Sequence, residues 1–209
     1  MTQTTTGGVM AQIGRFAASL LCLLAVPGFA QSAPWQGWYL GLNLNRATTA
    51  TQFGGASIHT TLGAADANAT LQGGHVLVLG PQARLDLGLT FGLGDLTAGR
   101  MPLGGSELDF RLREMYAVHV APGYALNPST LLYAKLAYLG ARGEERLAGD
   151  AASKTYAGLG YGLGLRLQLT PQLYLQAQYL HADYEWKGSR SGAFRPLSTS
   201  GSVGLGWRF

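Results

Sequence analysis

A histidine and an acid near the end of this chain are the side chains most suited to covalent chemistry. His181 and Asp183 stand two residues apart, so on a β-strand they share one face and could form part of a Ser-His-acid set. No serine is placed to complete that set. The pair therefore does not by itself predict a hydrolase, and we predict no catalytic residue.

Three cations follow in a loop-like segment that contains no acid, namely Lys187, Arg190 and Arg195. Cations grouped in this way can bind the phosphates of lipopolysaccharide or a polyanion on a host surface. They can equally be solvated loop charges, and the sequence leaves both interpretations open.

Metal and nucleotide chemistry have no matching pattern. The sequence holds no clustered Cys/His spacing of the kind that binds zinc. The glycine-rich run at 158–162 lies inside a predicted strand and does not open a helix, so it does not predict a phosphate-binding loop. We therefore expect no metal and no cofactor.

The elements that must position these residues are β-strands. The C-terminal segment places Val203, Leu205, Trp207 and Phe209 on one face, with serine, glycine and arginine on the other. This period of two predicts a strand with one apolar face. Because an exposed apolar edge strand would pair with other chains, the pattern indicates a closed barrel in which the last strand pairs with the first.

The whole chain reads as eight such strands. Their predicted bounds are about 37–46, 69–79, 84–93, 108–126, 130–141, 154–169, 173–186 and 198–209. Three connections are tight turns that contain proline, whereas the other four, at about 47–68, 94–107, 142–153 and 187–197, are long. Alternating short turns and long loops are typical of an outer-membrane barrel with periplasmic turns and extracellular loops.

The sixth predicted strand decides which face points outward. Its apolar face carries leucines and a tyrosine, and its other face carries four glycines and Arg166. A water-exposed exterior would need charged residues, whereas a crowded barrel interior accommodates glycine. We therefore predict an all-β fold, an eight-stranded antiparallel transmembrane β-barrel with up-and-down meander topology and leucines facing lipid. Aromatic residues expected on the outward face are Trp38, Tyr138, Tyr161, Tyr179, Trp207 and Phe209.

Charged residues on the opposite face should form a polar network inside the barrel, because lone buried charge is costly. The predicted interior residues are Asp86, Arg111, Arg113, Lys135 and Arg166, joined by Tyr133, Gln176 and Gln178. Glu114 breaks this alternation, because it falls on the predicted outward, apolar face of its strand. Either a β-bulge shifts the register there or Glu114 lies near the rim.

The N-terminal residues read as a secretion signal. A short apolar run follows Arg15 and ends in small residues, which predicts a signal peptide at 1–30 with cleavage after Ala30, or alternatively after Ala33. Met10 is a possible start. Cys22, the single cysteine, would leave with the signal, so the barrel domain at 31–209 would hold no disulfide.

Composition fits a chain whose middle faces lipid. Charged residues make up 12% of the sequence and glycine occurs 31 times, an unusual balance for a soluble globule. The formal net charge of +4 is too small to predict binding to nucleic acid.

The chain resembles the small outer-membrane barrels of the OmpA-like and opacity-type porin family. The resemblance rests on the opening 37–41 segment, the 161–165 run and the closing 203–209 segment. It implies that Val203, Leu205, Trp207 and Phe209 form the signal that the barrel-assembly machinery reads during insertion. It also implies a monomer among outer-membrane lipids and lipopolysaccharide.

These observations predict a structural or surface-interaction protein of the bacterial outer membrane, without turnover. It would act in envelope integrity or in adhesion through an extracellular ligand of its loops. The alternative is a narrow porin-like channel, and an outer-membrane lipid-modifying hydrolase is less favoured.

Overall fold

The computed structural model describes residues 34–54, 59–103, 106–147, 150–188 and 193–209. The signal peptide predicted at 1–30 lies outside these residues, as does Arg190. The described strands are β1 Gly37–Gly54, β2 His59–Val78, β3 Ala83–Leu93, β4 Leu96–Leu103, β5 Ser106–Asn127, β6 Thr130–Leu147, β7 Asp150–Gln168, β8 Leu173–Tyr184, β9 Lys187–Gly188 and β10 Ala193–Arg208. Within the described residues, no helix has the length and hydropathy that a bilayer crossing requires.

These segments form the eight walls of a closed antiparallel barrel. Consecutive walls pair with each other around the ring, and β3 and β4 share one wall because both pair with β5. The short β9 extends the wall of β8, since both pair with β10. β1 pairs with β10 from Tyr39↔Arg208 to Gly54↔Ala193, which closes the barrel. The predicted eight-stranded meander is confirmed.

Alternation separates an apolar exterior from a polar interior in the lower part of the barrel. Leu44, Leu136, Leu159 and Leu163 are each about 60% exposed on the outside, as expected of side chains whose solvent is lipid. The six aromatic residues predicted to face outward are all exposed. We call this part the membrane barrel; it comprises residues 34–46, 69–93, 115–140, 158–184 and 198–209.

The strands continue well beyond the predicted bounds at the end that carries the long connections. The loops predicted at 47–68, 94–107, 142–153 and 187–197 prove wrong in extent, because much of each is strand. We call this upper part the extension; it comprises residues 47–54, 59–68, 94–103, 106–114, 141–147, 150–157, 185–188 and 193–197. Its residues are mostly small and polar, so they give no apolar alternation, but antiparallel pairing continues through them.

The extension is split into two facing sheets. The β2–β3 ladder ends at Ala69↔Leu93, the β7–β8 ladder ends at Gly158↔Tyr184, and no strand pairing spans either gap within the described residues. One sheet therefore contains β9, β10, β1 and β2, and the other contains β4 to β7. The Thr51 hydroxyl donates to the Ala98 carbonyl between the sheets at 2.7 Å.

The two sheets of the extension enclose an apolar core. The rings of Phe110 and Phe194 stack across it with centroids 5.3 Å apart and planes 3° from parallel. Phe53 and Tyr156 pack against this pair, and Leu112 is fully buried below it. This arrangement resembles a small β-sandwich standing on a barrel.

Candidate functional site

A buried ion pair occupies the centre of the membrane barrel. Nη2 of Arg166 donates to Oδ2 of Asp86 at 2.7 Å, and both side chains are at least 96% buried. Asp86 lies on β3 and Arg166 on β7, and each is among the alternate residues of its strand whose side chains point into the barrel. A pair this deeply buried is stable only if its remaining donors and acceptors are also satisfied.

Tyrosine and histidine complete the surroundings of the carboxylate. The Tyr39 hydroxyl lies 2.9 and 3.0 Å from the two oxygens of Asp86, to which it donates. Nε2 of His119 lies 3.3 Å from that hydroxyl and 3.9 Å from Oδ1 of Asp86. The carboxylate is thereby held on several sides.

Side-chain amides extend the network across the lumen. Nε of Arg166 donates to Oε1 of Gln176 at 2.8 Å, and the amide of Gln176 donates in turn to Oδ1 of Asn43 at 3.2 Å. The Gln72 amide donates to the Tyr39 hydroxyl at 3.3 Å. Residues from six walls are thus tied together through one connected set of hydrogen bonds.

Aromatic rings surround the guanidinium of Arg166. Its central carbon lies 4.4 Å from the ring centroid of Tyr39, 5.1 Å from that of Tyr133 and 5.3 Å from that of Tyr174. Glycine makes room for these rings: a Cβ at Gly164 would collide with the Tyr133 ring, and one at Gly206 with the Tyr174 ring. The glycine-lined face therefore lets large side chains cross a narrow lumen.

The network is covered from below. Trp35 and Tyr174 meet edge to face at the end with the tight turns, and Val76, Ala125 and Leu131 complete that layer. Above the network the apolar core of the extension closes the lumen again. Between the network and that upper core lies a chamber of about 120 Å³.

Three of the five predicted interior charges lie together in this network. Asp86 and Arg166 form the central pair, and Lys135 donates from Nζ to Oε1 of Gln178 at 3.0 Å and to Oε1 of Gln72 at 3.4 Å. Tyr133, Gln176 and Gln178 join them as described.

The placement of Arg111 and Arg113 in the interior is wrong. Both lie on the outside of the extension, where Arg111 contacts Asp109 at 2.8 Å and Arg113 contacts Glu144 at 2.7 Å. The cause is a β-bulge: Glu114 has φ of 48° and the β5–β6 register shifts between Arg113 and Tyr116. One extra residue reverses the two faces of the strand above it.

The predicted cluster of loop cations is neutralised where the structure describes it. Lys187 pairs with Glu185 at 2.8 Å, and Arg195 makes a bidentate salt bridge with Asp183, with hydrogen bonds of 2.6 and 3.0 Å. These contacts raise the pKa of Arg195 and lower that of Glu185. Pairing of β10 with β8 brings Asp183 to Arg195, whereas Glu185 lies two residues before Lys187 in the sequence, just outside the segment that holds the cations.

His181 contacts a threonine hydroxyl and a tyrosine ring. Nδ1 lies 2.9 Å from the Thr199 hydroxyl and the ring packs against Tyr161 with centroids 5.1 Å apart. Asp183, its proposed partner, is engaged by Arg195. The pair therefore does not form part of a hydrolytic set among the described residues.

The closing segment presents its apolar face to the outside. Val203, Leu205, Trp207 and Phe209 are each about half exposed on the outer surface. The Phe209 amide donates to the Trp38 carbonyl at 2.9 Å, which fixes the end of β10 against β1.

The sequence interpretation missed Tyr39, His119 and Gln72 as members of the network. Each lies on the polar face of a strand with alternating polarity, so this alternation was the signal that could have identified them. Their types gave no such signal, because tyrosine, histidine and glutamine occur widely on barrel surfaces.

The geometry defines an integral membrane protein of the β-barrel class, with an apolar outside and a polar, filled inside. The family model described as outer membrane protein beta-barrel domain matches residues 16–209. The chain belongs to this family and lies in the bacterial outer membrane, among its lipids and lipopolysaccharide.

Solved structures agree on the fold. Neisserial surface protein A is similar, with 18% identity, a TM-score of 0.55 and coverage of 83% of this chain and 97% of NspA. Ail of Yersinia pestis, in complex with the heparin analogue sucrose octasulfate, shares 16% identity at a TM-score of 0.50, over 83% of this chain and 99% of Ail. No curated protein matches the chain.

Proposed function

We propose that this protein is a non-conducting outer-membrane barrel that acts through binding at its extension, in adhesion or in envelope integrity. It is exported with the signal peptide at 1–30 and works as a monomer. The observation that carries this proposal is the filled lumen, which blocks passage through the barrel and leaves the external surface as the part available to a macromolecular partner.

The lumen contents argue against the narrow porin-like channel. An ion crossing the barrel would have to pass the Trp35 layer, the Asp86–Arg166 network and the aromatic core around Phe110. Each layer is buried and packed, and the network has hydrogen-bond partners on several walls. Eight strands leave an interior that side chains fill, which agrees with this interpretation.

The extension supplies an ordered binding surface. Its β4–β7 sheet carries rows of alternating charges on the outside, including Arg100, Asp109, Arg111, Arg113 and Glu144. Arg113 and Arg146 both contact Glu144 and lower the pKa of its carboxyl group. Strands rather than mobile loops hold these groups, so little ordering entropy would be lost when a partner binds.

The primary test is conductance. We expect the refolded protein in planar lipid bilayers to give no sustained channel steps, and repeated discrete steps would favour the porin-like alternative. In parallel, cells with and without the protein should differ in surface attachment or in detergent sensitivity. Equal behaviour in both assays would contradict a surface or envelope role.

Lipid A chemistry tests the enzyme alternative. Mass spectrometry of lipid A from cells with and without the protein should give identical spectra. A change in acylation would overturn the non-enzymatic proposal.

Insertion is proposed to depend on the apolar face formed by Val203, Leu205, Trp207 and Phe209, read by the barrel-assembly machinery. Deletion of Phe209 should lower the amount of heat-modifiable protein in outer membranes, whereas Arg208→Lys should not. Normal insertion of the shortened chain would remove this assignment.

A further inference from the structure

The polar network of the membrane barrel contains two basic side chains, Arg166 and Lys135, but one carboxylate, that of Asp86. The central carboxylate of Asp86 is engaged by Arg166, Tyr39 and His119. Lys135 is 96% buried, yet its Nζ contacts only the neutral amide oxygens of Gln72 and Gln178, and no carboxylate pairs with it among the described residues. An ammonium group has three donors, so one remains unused.

The chamber directly above the network has a polar floor and an apolar roof. Lys135, Gln72 and Gln178 line its lower part, and Leu96, Leu112 and Leu139 line its upper part. Thr90 also lines the chamber and carries a buried hydroxyl that has no partner among the described residues. Two hydrogen-bonding groups with spare capacity therefore border one cavity.

We propose that this chamber binds an aliphatic carboxylate, with the carboxylate accepting from Lys135 Nζ and Thr90 Oγ1 and the alkyl chain lying against the leucine roof. A buried ammonium without a counter-charge is costly, so an anion is the ligand that stabilises it most. The leucine roof favours an alkyl chain over a fully hydrated inorganic anion. A volume of about 120 Å³ suits a short chain.

The gap between the two sheets of the extension provides an entry path. The β2–β3 ladder ends at Ala69↔Leu93, beside the chamber residues Gly92 and Leu96. Above that point the Asp66 carboxylate accepts a hydrogen bond from the Thr97 amide at 2.9 Å, one of the contacts between β2 and β4. A chain entering from the outer leaflet would have to displace contacts between these two strands, but among the described residues it would break no strand pairing there.

The test is calorimetric titration of the refolded full chain, in an uncharged detergent, with hexanoate, hexanol and formate. We expect saturable hexanoate binding, with hexanol and formate each weaker. Lys135→Met should weaken hexanoate about tenfold to a hundredfold, as expected for loss of a charge-assisted hydrogen bond. The control Lys154→Met, at an exposed lysine of the extension, should leave binding unchanged.

A second variant keeps the test decisive if Lys135→Met does not fold. Thr90→Val has nearly the same size and removes only the spare hydroxyl, so the barrel should fold and hexanoate should bind several-fold more weakly. Absence of hexanoate binding, equal binding of formate and hexanoate, or undiminished binding by a folded Lys135→Met or Thr90→Val variant would each overturn the proposal.

Discussion

The membrane barrel and the extension are built from the same strands, but the interior of the first is polar and the interior of the second is mostly apolar. In the membrane barrel the leucines lie outside and Asp86, Lys135 and Arg166 lie inside. In the extension Phe110 and Phe194 lie inside, and Asp109 and Arg111 lie outside. The surrounding solvent accounts for the inversion, because lipid accepts an apolar exterior and water does not.

On β5 the inversion depends on a single residue. Below Glu114 the inward phase carries His119, and above it the bulge turns Phe110 and Leu112 inward. On β1 the inward phase does not shift; the residue types change instead, from Asn43 to Phe53. An apolar interior in the extension therefore arises from a register shift on β5 and from a change of residue types on β1.

The sharpest way to test the contrast is to remove the interior carboxylate and, for comparison, a carboxylate that pairs with a cation of the extension. Asp86→Ala should lower the free energy of unfolding by about 3–5 kcal/mol, because it leaves the Arg166 charge buried without its partner. Asp183→Ala breaks the partly exposed pair with Arg195 and should cost at most about 1 kcal/mol. Urea unfolding of the protein in lipid vesicles measures both, and similar losses would contradict a special role for the interior pair.

A second comparison removes the core of the extension alone. Phe110→Ala should cost about 3 kcal/mol locally, since a fully buried ring leaves a cavity between the sheets. We expect faster limited proteolysis of the extension while the boiling-sensitive compact gel band of the membrane barrel persists. The exposed Tyr138→Ala serves as a control, and loss of the compact band with Phe110→Ala alone would show that the two regions fold as one unit.

A third, smaller effect concerns the bulge. Glu114 adopts φ of 48°, which costs an L-residue about 1 kcal/mol relative to glycine before the entropy of the unfolded chain is counted. Glu114→Gly should therefore be neutral or stabilise by less than about 1 kcal/mol, and Glu114→Val should destabilise. Thermal unfolding in detergent compares them, and a large loss with glycine would mean that the side chain itself maintains the bulge.

The smallest expected effect is a pH response at the gap between the sheets. Hydrogen bonds from the amides of Thr97 and Ala67 lower the pKa of Asp66. The stabilisation is therefore present above the unfolded pKa, about 4, and is lost as the pH falls through the lower folded value. Amide exchange at Thr97 should accelerate at acid pH in the wild type, but Asp66→Asn should show little pH dependence beyond the intrinsic rate.

Sequence patterns predicted the membrane barrel well because lipid imposes strict alternation on its outer face. They placed Asp86, Lys135 and Arg166 inside for the same reason. They failed in the extension, where Thr48, Ala50 and Gln52 face water and no apolar period marks the strand. Arg111 and Arg113 were misplaced because the sequence does not reveal that Glu114 adopts a left-handed backbone conformation. The only sign was that Glu114 itself interrupted the alternation.

The join between the first and last strands has one further consequence. Trp38 and Phe209 are hydrogen-bonded neighbours, and the β1–β10 ladder is as regular as any other in the wall. The pairing of the strands around the barrel therefore does not depend on which strand comes first in the chain. A short linker across this join, with new termini opened in the turn between Asn127 and Thr130, would give a circular permutant that preserves every pairing of the barrel outside that turn.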